Sequence, residues 1–569
     1  MLGRQCRPGT EVADDACVAS SAARAAYRGS WVRIPPHPPF LPQESLHSPL
    51  AASRYTTLSA MIPSVAKPGH MRKIRQSAAI PMNKKIADDH GYFWWSDAPV
   101  SPHQLAPESA VAGVLRVDGE GKIDLELHGV LPNELGVWGA FANGGLEIPP
   151  GRGIHGILKG SNRAVVLSGV RRNGGQLATA GISYEKYIAE DALIGKSALR
   201  PEDRPREFNS LRIDLNGFED WLLLGAIESD RSDTELTARY RAPDDAKYSL
   251  DEGSLSIRYD LSGPYPGKSR SDRLTLEESA FIEYVPRAPM SLGALKEQYA
   301  IFADLFLVLT GSTYRLEFPV VTDATTTQRY QLVFRRQTGT AEKPDRYECW
   351  TLFPRIREQF GRSYCTWKKM REDFGPGIGL YVGTQRAKDV YVENRFVNLI
   401  WGIEALHRKR TGQAANPSPL EEKIGRITSQ IDISKIELAK DRKWLQQLLE
   451  RAAEPRLEDR IFDTFSGLPL GISDEDLRTF AATCADRRNQ ISHYGGQKQS
   501  GSYREFVIDL AQRANALSYL YQSLLLREIG IDPEIMQDFI VRGFRSLPIK
   551  LAFVQTGLLP PSVLQEPTK

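Results

Sequence analysis

The sequence predicts a multidomain α+β protein, in which an antiparallel β-rich N-terminal domain of the sandwich or barrel type is followed by an all-α helical bundle. Apolar residues recur with a period of two through most of residues 90–336, which is typical of half-buried strands. From about residue 386 the period becomes 3.6, which indicates amphipathic helices. The chain of 569 residues, 41% of them hydrophobic, is long enough to fill more than one core.

The predicted β-rich domain covers residues 90–336. Ile123, Leu125 and Leu127 alternate with polar residues, and the glycine-containing turn 118–121 joins them to residues 114–117 as a hairpin. Many short strands with glycine-rich turns favour an antiparallel arrangement. Further strands are predicted at residues 211–215, 255–259, 314–320 and 329–336.

A helix is predicted inside this β-rich domain, over residues 291–309. Ser291 can cap its N-terminus, and apolar residues follow at helical spacing from Leu292 to Leu309. The apolar stretch at its end is interrupted by Asp304 and is too short to span a bilayer, which needs about 20 residues. We therefore expect a buried helix.

Residues 337–380 are predicted to connect the two domains. This segment combines Arg and Lys with the aromatic residues Tyr347, Trp350, Phe353, Phe360, Tyr364 and Trp367. Such a mixture can bind single-stranded nucleic acid through base stacking and phosphate contacts. The alternative, which we favour, is a segment that packs its aromatic side chains on the helical domain.

The helical domain is predicted over residues 381–545, with residues 546–569 as a C-terminal tail. Short connections between its helices favour a bundle. The predicted helices lie at residues 396–406, 421–431, 434–452, 473–494 and 503–529.

Residues 1–81 differ in composition from the rest of the chain. They are rich in Ser, Ala, Pro and Arg and have no strand or helix periodicity, so we expect a disordered leader. A start codon placed too far upstream would explain this segment, with Met71 or Met82 as the true initiator. An organellar transit peptide is the alternative, but no amphipathic helix supports it.

Charge and cysteine content exclude several classes of protein. The net charge of +3 is too small for a protein coated in nucleic acid, although a local basic patch is compatible with it. The five cysteines are scattered and form no CxxC pair, so neither a zinc ribbon nor a disulfide framework is expected. A reducing, cytoplasmic environment is the simplest interpretation.

Residues 486–494 are the segment with the clearest set of candidate catalytic side chains. It offers a cation at Arg488, an amide at Asn489 and an imidazole at His493. His493 can exchange protons near neutral pH, and Arg488 can stabilise charge on a phosphate, so the set suits RNA cleavage without metal or cofactor. The alternative is an ordinary helix end, in which His493 caps the helix and Arg488 forms an ion pair.

Other charged residues are candidates for supporting roles. Glu404 and His407 have the spacing of half a di-iron site, which needs a second such pair. The other Glu-x-x-His in the sequence, Glu44 to His47, lies in the leader, so we expect no metal. Glu404 and Asp486 are better interpreted as carboxylates that position Arg488 or His493. The basic run Arg408, Lys409 and Arg410 is a weak candidate for RNA phosphate contacts.

Several segments resemble one known family. Arg488-Asn-Gln-Ile-Ser-His493 resembles the R-x4-6-H signature of HEPN domains, and residues 393–407 look like the first helix of the ApeA-like HEPN family. Gly91-Tyr-Phe-Trp-Trp95 and Phe218-Glu-Asp-Trp221 resemble parts of that family's N-terminal domain, a sensor or recognition domain. The resemblance covers about residues 90–540.

The resemblance implies a homodimeric HEPN endoribonuclease that acts in bacterial anti-phage defence by abortive infection. Implied partners are RNA, with tRNA as one candidate, and a phage-derived trigger; the implied product is a 2′,3′-cyclic phosphate. Some HEPN proteins carry a Tyr two residues after the His, but Gly495 holds that place here, so regulation by nucleotide modification of that Tyr is in doubt. A catalytically inert helical module that binds RNA or a protein is the alternative.

Overall fold

The protein is represented by a computed structural model that describes residues 86–564. Gaps in this description lie at residues 133–147, 150, 177–180, 197–203, 265–273, 338, 341, 388–389, 413–418, 432–434, 495–501 and 540–545. The predicted disordered leader, residues 1–81, lies outside the described residues.

The N-terminal region is an antiparallel sheet, which confirms the predicted fold class. The described strands are β1 (Ala87–Trp95), β2 (Val111–Val117), β3 (Ile123–Leu127), β4 (Ile154–Leu158), β5 (Ala164–Ser168), β6 (Arg171–Gln176), β7 (Tyr184–Ala189), β8 (Asp191–Gly195), β9 (Phe208–Asp214), β10 (Ile227–Arg231), β11 (Leu236–Tyr240), β12 (Ala246–Leu250), β13 (Gly253–Ser262), β14 (Glu277–Pro286), β15 (Val320–Asp323) and β16 (Arg329–Phe334). Fourteen of them form one sheet in the order β12-β13-β14-β9-β15-β16-β8-β5-β4-β1-β2-β3-β7-β6, and β10 pairs with β11 separately.

The predicted hairpin is confirmed as β2 and β3, which pair from Gly113–Leu127 to Val117–Ile123. Asp118 closes the turn, because its carboxylate accepts hydrogen bonds from the backbone N–H groups of Glu120 and Lys122, both at 2.9 Å. Gly121 has φ 85°, and a Cβ there would lie 1.9 Å from the carbonyl oxygen of Phe334. The turn is thus docked against the end of β16.

The predicted strand at residues 314–320 is wrong in its position. The chain becomes a strand only at Val320, and Leu316 and Phe318 are buried without belonging to a strand. Apolar residues at alternating positions therefore indicate burial here, but among the described residues the segment forms only an isolated bridge, from Tyr314 to Thr340, before Val320.

Alternate residues of β5 face two different cores. Val165 and Leu167 belong to a core built among the N-terminal strands, whereas Ala164 and Val166 belong to a larger one that includes the helices. The sheet is therefore covered on both faces along this strand.

Most of the described helices lie in the C-terminal half of the chain. They are α1 (Glu219–Leu222), α2 (Leu292–Thr310), α3 (Phe353–Ile356), α4 (Phe360–Arg386), α5 (Val392–Gly412), α6 (Pro419–Gln430), α7 (Ala439–Ala453), α8 (Leu457–Phe465), α9 (Asp474–Tyr494), α10 (Tyr503–Glu528), α11 (Pro533–Gln537) and α12 (Ser546–Gln555). A short 3₁₀ turn follows at Pro561–Leu564. Among the helices described, none combines the length and the apolarity that crossing a membrane requires.

Helix α2 is the predicted buried helix, and it joins the sheet to the bundle. The hydroxyl of Ser291 accepts a hydrogen bond from the backbone N–H of Ala294, which confirms the predicted cap. Phe302 stacks on Tyr364 of α4 at a ring distance of 5.2 Å. The β-rich and helical regions therefore share one continuous core instead of meeting across a linker.

Residues 337–380 are occupied largely by α4, which continues past the predicted domain boundary at 380 to Arg386. Tyr347 is half-exposed, but the other aromatic side chains of this segment are buried: Trp350, Phe353, Phe360, Tyr364 and Trp367. Buried rings are not accessible to nucleic-acid bases. The structure therefore favours the packing interpretation of this segment.

Two glycines let α4 and α5 approach closely. A Cβ at Gly377 would lie 3.0 Å from the carbonyl oxygen of Gly402, and a Cβ at Gly402 would lie 3.2 Å from that of Gly377. The hydroxyl of Tyr521, on α10, donates to the same Gly377 carbonyl at 3.0 Å. These contacts fix the position of α5, which carries Glu404.

The apolar stripe of α5 is used inside the protomer. The stripe consists of Phe396, Leu399, Ile400, Ile403 and Leu406, all buried. All five side chains therefore lie in the core of the bundle and are not available for a contact between protomers. Trp401 of α5 and Ile508 of α10 remain about half-exposed.

The predicted C-terminal tail contains α12, which packs on α10. Ile549, Ala552 and Phe553 are buried there, and the ring of Phe553 meets Tyr519 edge-on at 6.4 Å. Residues 546–555 are thus part of the bundle.

Candidate functional site

The predicted catalytic residues lie near the end of α9. Ser473 begins this helix, since its hydroxyl accepts a hydrogen bond from the backbone N–H of Asp476 at 3.1 Å. Buried apolar side chains fix the helix against α5 and α8. They are Leu477, Phe480, Ala481 and Cys484. The helix ends at Tyr494, one residue after His493. The side chain of His493 lies outside the part of the chain that the structure describes.

Arg488 is incompletely satisfied by its surroundings. Its Nη2 lies 3.7 Å from Oε2 of Glu404, and its Nη1 donates to Oδ1 of Asn489 at 3.3 Å. Its Nε is buried and has no hydrogen-bond partner among the described residues. A quarter of the Arg488 side chain is exposed. The guanidinium therefore keeps donors for a further acceptor.

Glu404 belongs to a cluster that also contains Glu454, Arg408, Arg460 and Arg488, the arginine–glutamate cluster. Arg460 lies at its centre, 3.2 Å from Glu404 and 2.7 Å from Glu454, with only 5% of its side chain exposed. Arg408 lies 3.2 Å from Glu404 and 3.5 Å from Glu454. Three arginines, Arg488 included, share two carboxylates, so the cluster as a whole carries one excess positive charge.

The structure separates the two predicted supporting carboxylates. Glu404 lies beside Arg488, but Asp486 accepts a hydrogen bond from Nε2 of Gln490 at 2.7 Å and lies 3.7 Å from Arg487. The Asp486 side chain is 63% exposed. Its described contacts therefore place it on a different side of the helix from the arginine–glutamate cluster.

The basic run at the end of α5 is only partly available for RNA. Arg408 contacts Glu404 and Glu454, and Arg410 lies 3.7 Å from Glu528. Lys409 is exposed. Lys409 thus fits the predicted phosphate contact better than its two neighbours.

Glu404 and His407 contact different groups. His407 is buried, with Nε2 3.6 Å from Oδ2 of Asp463, whereas Glu404 contacts arginines. Burial lowers the pKa of His407, and the positive charges of Arg460 and Arg410 lower it further. The carboxylate of Asp463 raises it, but by less than the other effects combined. No group of three or more His, Cys, Asp or Glu side chains suited to a metal occurs in the described part of the chain.

Arg460 and Glu454 were missed by the sequence analysis, because α8 was not predicted. Leu457, Ile461 and Phe465 recur at spacings of four along this nine-residue helix, which is the signal that could have identified it. A buried Arg on so short a helix has no distinctive sequence pattern.

A second charged group lies on a different face of α9, and we call it the Asp509 cluster. Oδ2 of Asp509 accepts from Nε of Arg487 at 2.7 Å, and Oδ1 accepts from Nε of Arg513 at 2.9 Å. Burial opposes ionisation of Asp509, but the hydrogen bonds from both arginines outweigh it and lower its pKa. This cluster ties α9 to α10.

Two family matches cover most of the described chain. Residues 90–344 match ApeA N-terminal domain 1, and residues 397–535 match Apea-like HEPN. Neither a curated protein nor a solved structure matches the chain. HEPN domains are generally ribonucleases, so the second match indicates a nuclease-type protein. Both matched domains are of the ApeA type, and the N-terminal domain precedes the HEPN domain as the sequence predicts. The chain therefore belongs to the ApeA-like HEPN proteins.

Proposed function

We propose that this protein is a metal-independent endoribonuclease of the HEPN type, which cleaves cellular RNA through Arg488 and His493 in anti-phage defence. The observation that carries the proposal is the incompletely bonded guanidinium of Arg488, five residues before His493 on one helix of a HEPN domain. A defence role is supported by the ApeA type of both domains.

The residues present suit a cleavage in which RNA supplies its own nucleophile. The 2′-hydroxyl attacks the neighbouring phosphorus and gives its proton to a base, while the P–O5′ bond breaks and the 5′-oxygen takes up a proton. His493 exchanges these protons, and Arg488 donates hydrogen bonds to the phosphate oxygens. The products are a 2′,3′-cyclic phosphate and a 5′-hydroxyl.

The arginine–glutamate cluster supports this role of Arg488. Glu404 holds the guanidinium at 3.7 Å, too far for a strong hydrogen bond, so a phosphate can compete for the same N–H groups. Exposed Asn489 lies beside Arg488 and can donate its amide to the same phosphate. Lys409 can contact the RNA backbone next to it, with tRNA as one candidate substrate.

We further propose a homodimer through residues 381–545. One imidazole serves both proton transfers only by changing roles, whereas a two-fold axis near the ends of two α9 helices supplies two histidines and two arginines. HEPN domains commonly dimerise. Trp401 and Ile508 remain about half-exposed on α5 and α10 and are available for this contact.

The deciding experiment incubates the purified full chain with total RNA in excess EDTA and identifies the new ends. We expect cleavage with 2′,3′-cyclic phosphate and 5′-hydroxyl ends, and no cleavage by His493→Ala. Activity lost in EDTA and restored by Mg²⁺ or Mn²⁺ would refute the metal-independent mechanism. Binding without cleavage by the wild-type chain would instead support an inert RNA-binding module.

A further inference from the structure

A cavity of about 270 Å³ lies at the junction of the sheet and the helical bundle. Its walls come from α2, from residues 313–316, from the end of β16 and the residues after it, and from Arg386 at the end of α4. The lining residues from 296 to 337 lie inside the first family match, and Arg386 lies between the two matches. A ligand in this cavity would contact both regions.

The described lining of the cavity is strongly cationic. Asp304 is the lining carboxylate, and it is paired with Arg386 and with Arg371, the latter at 3.2 Å. The cationic lining residues are Lys296, Arg315, Arg335, Arg336 and Arg386. Five cations against one carboxylate favour an anionic ligand.

Some of these cations have fixed partners, and others keep donors free for a ligand. Nζ of Lys296 is bonded to Asp191 at 2.8 Å, and Nη2 of Arg336 donates to the carbonyl of Gly119 at 2.8 Å. In contrast, Nη1 of Arg315 and Nε of Arg336 are buried and lack hydrogen-bond partners among the described residues. A buried N–H group without a hydrogen bond costs free energy, so a ligand that brings an acceptor to these guanidinium groups would be stabilised.

The rest of the wall is aromatic and aliphatic. Tyr299 and Phe334 pack edge-on at 5.2 Å, and Tyr314 lies at the same cavity. Burial raises the pKa of Tyr299, so its hydroxyl is neutral. Aromatic faces suit a flat heterocycle, and arginine forks suit phosphate oxygens.

From these observations we propose that the cavity binds a small phosphorylated ligand of the ribonucleoside 5′-monophosphate class. Its volume of about 270 Å³ lies just below the roughly 300–1,000 Å³ that ligand pockets span, which favours a mononucleotide over a larger ligand. The phosphate would meet Arg315 and Arg336, and the base would lie against the aromatic wall. This site is separate from Arg488 and His493 and does not depend on RNA cleavage.

Calorimetric titration of the full chain tests this site directly. The probes are AMP, GMP, CMP and UMP, with adenosine, inorganic phosphate and citrate at the same ionic strength. We expect saturable binding of at least one monophosphate, and weaker binding of adenosine, phosphate and citrate. No binding of any monophosphate up to about 1 mM, or equal binding of phosphate or citrate, would overturn the proposal.

Variants locate the binding within the cavity. Arg315 and Arg335 form no ion pair with the described residues, so Arg315→Gln/Arg335→Gln should fold and should bind roughly tenfold or more weakly. Exposed Arg335→Glu, a single change at the same wall, should weaken binding too if the double variant is unstable. Arg239→Gln, on the exposed strand β11, is the control and should bind like the wild type. Unchanged affinity in the cavity variants would also overturn the assignment.

Discussion

Two charged clusters lie on different faces of α9, and the arginines that α9 contributes to them, Arg487 and Arg488, differ in how closely a carboxylate approaches them. In the Asp509 cluster, Arg487 donates to a carboxylate at 2.7 Å. In the arginine–glutamate cluster, the next residue, Arg488, has its nearest carboxylate at 3.7 Å and a buried Nε without a described partner. Adjacent residues of the same type thus differ in their contacts, and under the proposed function Arg488 keeps its donors for a phosphate while Arg487 stabilises the fold.

The difference has a physical consequence for both fold and function. A short hydrogen bond between charged groups stabilises a fold by about 1.5–3 kcal/mol. A guanidinium held loosely by a distant carboxylate contributes less to folding, but it needs little reorganisation to bind a phosphate. Substitutions on the two sides of α9 should therefore affect different properties.

The largest expected effect is the loss of cleavage when the proposed catalytic pair is broken. Arg488→Ala and His493→Ala should each reduce RNA cleavage by about 10²–10⁴-fold, and the double variant should be no worse, because the two residues act on one phosphate. Initial rates on a defined RNA measure this. Multiplying effects in the double variant would show that the two residues act independently.

The next effect is on stability, from the Asp509 cluster. Asp509→Asn removes the charge shared by Arg487 and Arg513 and should lower the free energy of unfolding by about 1.5–3 kcal/mol, measured by urea unfolding. Asp486→Asn, at a largely exposed carboxylate of the same region, is the control and should change it by less than about 0.5 kcal/mol. Equal effects of the two substitutions would remove the structural role assigned to Asp509.

The smallest effect concerns pH and His407. Because the pKa of His407 in the folded chain is lowered from its ordinary value of 6.5, below that pH the unfolded chain binds a proton that the folded chain does not. The stability from neutral His407 is therefore present above pH 6.5 and is lost as the pH falls towards the lower folded pKa.

Urea unfolding between pH 7.5 and 5.5 measures this loss. His407→Asn should flatten the decline in stability, whereas His128→Asn, at an exposed histidine, should leave it unchanged. A wild-type chain with no decline over this range would contradict a lowered pKa for His407.

The elements that the sequence predicted well are those with a strong local signal. The β2–β3 hairpin has a turn that Asp118 and Gly121 explain, and α2 has a cap at Ser291 followed by a long apolar stripe. In each of these, neighbouring residues determine the structure. The fold class was predicted for the same reason.

The sequence failed where distant residues decide the outcome. The shared core between sheet and bundle depends on contacts such as Phe302 with Tyr364, 62 residues apart, and no local period reveals them. Likewise, Glu404 meets Arg460 across 56 residues. The motif at residues 488–493 locates the candidate site, but the pairing that distinguishes Arg487 from Arg488 is a property of the packed helices.

The central claim is tested most directly by one pair of substitutions, Arg487→Gln and Arg488→Gln, measured for both RNA cleavage and urea unfolding. We predict that Arg488→Gln loses about 10²–10³-fold in cleavage with little change in the unfolding midpoint. Arg487→Gln should lower the midpoint while the folded fraction retains cleavage. If both variants cleave RNA like the wild type, or if Arg487→Gln alone abolishes cleavage in a folded chain, the assignment of Arg488 as the phosphate-binding residue is contradicted.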